Sequence, residues 1–407
     1  MSTARPGLDL MAPPIVEKWQ RNALIVGALG SIGGIIGWII EADEFYRSFL
    51  LGYMWCLGLT LGCMAILMVY HLTGGAWGTV ARRILEAGMR TLPLMIVLFI
   101  PILIGLHHLY PWSRADVLAS DADVRRVAAQ YLSLRFFLLR AVLYFIAWSV
   151  LVFALGKISD RQDKPPLVNF DVKLRRISGP GIVFYGFSIT FASVDWVMSV
   201  DPHWASTIYG LLFMAGQGLL TLCFIVLIGS ALVRYKPLSE AWKPDQFLDH
   251  GKLMMAFTMM WGWFALSQWL IIWAGNLPDE ITWYLNRTRG GWNVWGFLLI
   301  FIEFAIPFAF LLSRQVKSDW KSLRWIALWL VVARYMDLLY IIMPSFDNRK
   351  GHFHYSWLNA VVPLGMAGLW LTYFFFNLKR RPLLAQYDEH VTLLFEQGHE
   401  HEHELQS

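Results

Sequence analysis

Charged side chains are scarce in this chain: Asp, Glu, Lys and Arg make up 15% of its 407 residues, against 57% hydrophobic ones, and mean hydropathy is +0.48. Soluble domains average about 25% charged residues, so a water-facing surface for a fold of this size is excluded and a membrane protein is expected. Cysteine is nearly missing. Cys56, Cys63 and Cys223 all fall inside apolar runs, which gives no disulfide framework, no CxxC and no CxxCH, and leaves them as small packing residues. Cysteine clusters for iron–sulfur ligation are absent as well. The eleven histidines lie at the ends of apolar runs, in loops or in the tail, not deep in facing helices where axial ligands of a b-type haem belong. Walker A, GxGxxG and nucleophile-elbow motifs are missing too. If the chain takes part in redox chemistry, something else carries the electrons.

What remains is apolar helix. Crossing about 30 Å of hydrocarbon takes about 20 mostly apolar residues, and ten stretches qualify: 22–40, 47–70, 84–108, 136–155, 179–198, 206–233, 253–273, 292–313, 322–343 and 357–377. Runs such as FFLLRAVLYFIAWSVLVFAL (136–155) do not alternate as the strands of a membrane barrel do. The expected fold is therefore an all-α polytopic membrane protein: an N-terminal tail (1–21), a ten-helix domain (22–378) and a polar C-terminal tail (379–407). The first 21 residues mix Pro, Arg, Asp, Glu and Lys and lead into an apolar run with no A-x-A-like site, so no cleavable signal peptide is expected. The closing HEHEHELQS reads as a solvated terminus in preference to a weak metal site.

Lys and Arg set the expected orientation. With the N-terminus inside, inside segments hold 22 of them and outside segments 9, which supports cytoplasmic N- and C-termini and an even number of spans. The long outside loop carries DADVRRVAAQYLSLR, with acids leading and arginines trailing, as a short helix prefers.

Ionisable residues within spans are costly and mark a bundle interior or an aqueous cavity. His107 and His108 close the third segment, Arg140 lies one turn into the fourth, and Asp195 ends the fifth. The loop SVDPHW adds Asp201 and His203. Carboxylates and histidines at one depth suit a site that releases protons outward. Glu303, near the middle of segment eight with Pro307 four residues on, has no cation near it in sequence and needs a partner, a proton or a cavity. Arg334 and Asp337 share a helix face and can pair. Arg90 sits in segment three, where Pro93 and Pro101 favour kinks.

Three stretches carry a family resemblance: FYRSFLLGYMWCLGLTLGCMAILMVYHLTGGAWG (45–78), YLSLRFFLLRAVLYFIAW (131–148) and FASVDWVMSVDPHWASTIYG (191–210). They resemble the ActF subunits of alternative complex III, a bacterial quinol:electron-acceptor oxidoreductase, which group with the NrfD and polysulfide-reductase membrane subunits. The similarity runs from about Phe45 to Arg381. It implies two four-helix bundles, about 47–198 and 206–343, with the first and last helices peripheral, in a bacterial inner membrane. It also implies partners: a homologous ten-helix sister subunit (ActC), a periplasmic iron–sulfur subunit, c-type haem subunits and small membrane subunits. On this resemblance the chain contributes a quinone pocket or a proton path, with quinone or menaquinone as its ligand and no metal or catalytic residue of its own. His107, His108, Arg140, Asp195, Asp201 and His203 lie on the expected quinone side; Glu303, Arg334, Asp337 and Arg90 extend inward. Two other readings stay open: a proton-coupled secondary transporter using Glu303 and the Arg334/Asp337 pair, and a scaffold in which the charges only pair.

Overall fold

A computed structural model describes residues 10–164, 169–347 and 353–395. Among these residues there is no strand, and ten helices are long and apolar enough to cross a membrane: α1 (Ile15–Ile40), α2 (Ala42–Thr73), α3 (Ala76–Ile104), α4 (Leu134–Ser159), α5 (Asp171–Val200), α6 (Tyr209–Leu232), α7 (Pro244–Gly275), α8 (Trp292–Leu312), α9 (Trp320–Phe346) and α10 (Leu358–Leu378). The chain is an all-α multi-pass membrane protein.

Helices α2 to α5 pack as one ring and α6 to α9 as a second. The rings meet where α2, almost wholly buried, lies against α6, which is also mostly buried. Both helices are apolar on every side, as a helix sealed from lipid and water must be. Helices α1 and α10 form a pair laid against α2. Their crossing explains the glycine-rich GALGSIGGIIG: a Cβ on Gly27 would stand 2.9 Å from the Leu369 nitrogen, and one on Gly30 would run into the Gly365 backbone. Small residues let helices approach where lipid supplies no hydrophobic drive.

Ten spans put both ends on one side, here termed the terminal face; the other is the far face. The Leu383 N–H donates to the Leu10 carbonyl at 2.7 Å, and Lys379 lies 3.6 Å from Glu17. The stretch after Lys379, expected to be a polar tail, packs down through Leu383, Leu384, Ala385 and Leu394, all buried. Its apolar residues outweigh its polar average. The HEHEHELQS end lies outside the described residues.

Helix α3 departs from its expected bounds at both ends. It begins at Ala76 and breaks at Arg90–Thr91, Phe99 and Gly105. Two breaks precede Pro93 and Pro101, which lack the N–H a continuing helix needs. The first is pinned from outside: Thr91 Oγ1 lies 2.7 Å from Thr60 Oγ1, which accepts from Trp370 Nε1 at 2.8 Å. On the far face, Asp121 caps Ala122–Gln130, accepting from the N–H groups of Asp123 (3.0 Å) and Val124 (3.1 Å). The expected short helix is present.

Candidate functional site

Each ring holds one buried Arg–carboxylate centre between its third and fourth helices. In the first, Arg140 on α4 grips Asp195 on α5 with two bonds, Nε to Oδ2 at 2.9 Å and Nη2 to Oδ1 at 2.7 Å. Tyr144, one turn along α4, donates to Oδ2 at 2.9 Å, and the guanidinium lies 4.0 Å over the Tyr131 ring. The two-pronged geometry is one that Arg forms and Lys cannot. Arg140 therefore holds a fully buried carboxylate rather than reaching only to the interface. Below it, Trp196 is enclosed by the rings of Tyr53, Phe99, Tyr144, Phe145 and Trp148.

In the second ring, Arg334 on α9 is hydrogen-bonded to Glu303 on α8 and lies 3.0 Å from Asp337 one turn along its own helix. This is the cation Glu303 needed. Helix α8 forms a π-turn over Ile300–Ala305 around Glu303. Pro307 removes the N–H that would bond the Glu303 carbonyl, and the widened turn answers that loss. Trp329 Nε1 donates to the neighbouring Ile302 carbonyl at 2.7 Å. The guanidinium occupies space that any Cβ at Gly216 on α6 would fill, and Trp261 on α7 faces it at 6.0 Å. All four helices thus shape the centre. Two carboxylates facing one guanidinium carry a formal charge of −1, and Glu303 Oε2 has no hydrogen-bond partner among the described residues.

Between the centres runs an interrupted line of polar groups. Trp148 Nε1 donates to Ser188 Oγ at 2.9 Å, and Tyr185 OH donates to Gln217 Oε1 at 2.8 Å, beside Gly216. Tyr144 and Trp148 meet only as stacked rings, 5.8 Å apart.

The other far-face residues stay apart. His107 Nδ1 lies 3.3 Å from Ser113 Oγ, on the wall of an interfacial cavity of about 430 Å³ also lined by Trp112, Arg125 and Leu134. His108 lies 2.5 Å from Asp43 and stacks on Tyr46. His203 lies 3.0 Å from Asp121. The Val124 N–H bond holds the Asp121 carboxyl below the ordinary carboxylate range, whereas burial pushes that of Asp201 above it. Of the six, Arg140 and Asp195 form an ion pair, and Asp201 interacts with His203 two residues on. Arg90 belongs to neither centre: it bonds Asp160 (2.9 Å) and the Gly156 carbonyl (3.1 Å) at the terminal face.

Two arrangements escaped the sequence reading. At the terminal face, Arg82 bonds Glu86 (2.8 Å), Asp388 of the tail (2.6 Å) and Gln162; Arg83 bonds Glu86 (2.8 Å), Ser159 (3.0 Å) and Asp163. The Arg82–Glu86 and Arg83–Glu86 spacings of four and three were a visible signal of pairing, but Arg82 and Arg83 counted only as loop charges. Burial raises the Asp163 carboxyl above its ordinary range against the pull of Arg83. On the far face, Arg287 is fully buried and donates to the carbonyls of Trp283 (3.0 Å), Tyr340 (3.1 Å) and Ile341 (2.6 Å), with its guanidinium 3.4 Å over the Trp283 ring. It caps the end of α9, where the helix dipole favours a cation, and burial depresses its pKa to about 10.

Among the described residues no group of three or more His, Cys, Asp and Glu is placed to hold a metal ion. The second centre has one carboxylate more than it has cations, in a low-dielectric interior where interactions among charges are strongest. No protein-family model matches this chain, and no curated protein matches it.

Proposed function

We propose that this chain is a membrane subunit of a quinol:electron-acceptor oxidoreductase complex, supplying a proton-handling path or a quinone pocket while partner subunits carry the redox centres. The observation that carries the reading is the Glu303–Arg334–Asp337 centre. A buried triad with one carboxylate more than it has cations, in the interior of a transmembrane ring, gains most by exchanging a proton. The Arg140–Asp195–Tyr144 centre, nearer the far face, gives the first ring a comparable ionisable group. Quinol oxidation releases two protons for each quinol, and a subunit with ionisable groups at two depths can take part in their movement. The cavity beside His107, with apolar walls and a ring nitrogen, has the character of a quinone-headgroup site.

The resemblance of 45–78, 131–148 and 191–210 to ActF subunits supplies the expected setting: a bacterial inner membrane with the far face toward the periplasm, next to a sister ten-helix subunit, an iron–sulfur subunit and c-type haem subunits. An affinity-tagged chain solubilised in mild detergent should bring down polypeptides with c-type haem and iron–sulfur signals, by pyridine haemochrome and electron paramagnetic resonance spectra. A chain that purifies without either contradicts the proposal.

A further inference from the structure

A second cavity, of about 450 Å³, opens on the lipid-facing side between α1, α3 and α10. Its walls are mostly apolar, among them Pro93, Leu94, Val97 and Leu369, with Gln20 and Thr372 as polar members. The groove lies where the interrupted course of α3 leaves the pair that α1 and α10 form through their glycines. Arg90, at the terminal face, bonds the Gly156 carbonyl, and Val97, seven residues on, lies about 10 Å deeper at 1.5 Å per residue. One leaflet is half of about 30 Å of hydrocarbon, so the recess follows much of the terminal-face leaflet.

The mouth is basic. The Arg380 guanidinium lies 3.8 Å over the Phe376 ring that lines the groove. Arg90 and Arg381 share one carboxylate, Asp160, and Lys379 approaches Glu17, whose helix carries Arg21 one turn further on. Arg380 itself has no carboxylate partner among the described residues, while Lys379 and Arg381 on either side of it are paired with Glu17 and Asp160. An excess of positive charge at the interface above an apolar slot recruits an anionic headgroup. The slot suits a chain thinner than protein: a helix about 10–12 Å across would fill such a volume with about one turn.

We infer that this groove binds an anionic phospholipid, its acyl chain along Leu94, Val97 and Leu369 and its phosphate at Arg380 and the neighbouring cations. This inference does not depend on the proposed redox role. The test is native mass spectrometry of the full-length chain in its own assembly, exchanged into nanodiscs of phosphatidylcholine and phosphatidylglycerol. Wild type should retain phosphatidylglycerol in preference to phosphatidylcholine. Arg380→Gln should reduce that retention about fivefold, the effect of one basic residue at an anionic interface. Leu94→Trp, which fills the slot, should abolish it without shifting thermal unfolding, and Leu369→Trp serves if Leu94→Trp misfolds. Equal retention of the two lipids by wild type, retention unchanged in the variants, or cryo-EM density for a polypeptide in the groove would each overturn the inference.

Discussion

Replacing Arg334 with Met should destabilise the second ring far more than replacing Glu303 with Gln, although each removes one end of the same hydrogen bond. Glu303, Arg334 and Asp337 are each less than 5% exposed, so none can turn to water when its partner is lost. Without Arg334, two buried carboxylates lose their only cation. Breaking a buried ion pair in this way costs about 3–5 kcal/mol. Gln at position 303 leaves Arg334 with Asp337, a neutral pair, and keeps a carbonyl oxygen to accept from the guanidinium; the cost should be about 1 kcal/mol. A gap of about 3 kcal/mol is a factor of about 150 in the folded-to-unfolded ratio. Unfolding of the detergent-solubilised chain against rising dodecyl sulfate, followed by tryptophan fluorescence, measures it, with Trp261 beside the centre as a local reporter. The triple change Arg334→Met, Glu303→Gln, Asp337→Asn should recover most of the loss, since neutral replacement of a whole buried ion group is often tolerated. Glu303→Gln proving as damaging as Arg334→Met would refute the charge-count reasoning.

Three further outcomes follow from the other centres. Arg140→Lys should cost about 2 kcal/mol in thermal unfolding, because an ammonium cannot reproduce the two-pronged grip on Asp195; an unchanged midpoint contradicts the geometry. Arg287→Met should cost about 2–4 kcal/mol by the same measurement, since three buried carbonyls lose their donor and the end of α9 its cation; a loss below about 0.5 kcal/mol would show the cap is dispensable. Burial raises the Asp201 carboxyl, so the folded state holds that proton more tightly than the unfolded chain does. Its contribution to stability is full below the unfolded value of about 3.9 and falls as pH rises through the raised folded value. Asp201→Asn should flatten that part of the stability–pH profile, and a slope identical to wild type argues against it.

The fold was largely legible because lipid allows few solutions: each span had to be a helix, and apolar run length alone located all ten. What run length misplaced were the ends. The first turns of α3, from Ala76 to Arg83, looked like a loop, yet Arg82 and Arg83 are buried there by pairing with Glu86 and with Asp163 and Asp388 from other segments. The stretch after Lys379 looked polar because hydropathy averages over Asp388 and Glu389, whereas Leu383, Leu384 and Leu394 turn inward together. For the candidate site, Arg334 with Asp337 could be read from a spacing of three on one helix. Glu303 with Arg334, and Arg140 with Asp195, join different helices, and a single sequence carries no record of which helices face each other. The far-face histidines shared a depth but not a place, because depth follows from position along a span and lateral position does not.

In the proposed function the buried triad works as a proton site within a quinol-oxidising assembly. Its most direct test is quinol-driven proton release by the purified assembly in proteoliposomes, comparing wild type with Glu303→Gln and Asp337→Asn after confirming that every subunit is retained. Proton release per quinol oxidised should fall severalfold in both variants while the subunit composition stays intact. Unchanged quinol oxidation and proton release in intact variants would mean that these charges only pair, and the chain would then be a scaffold.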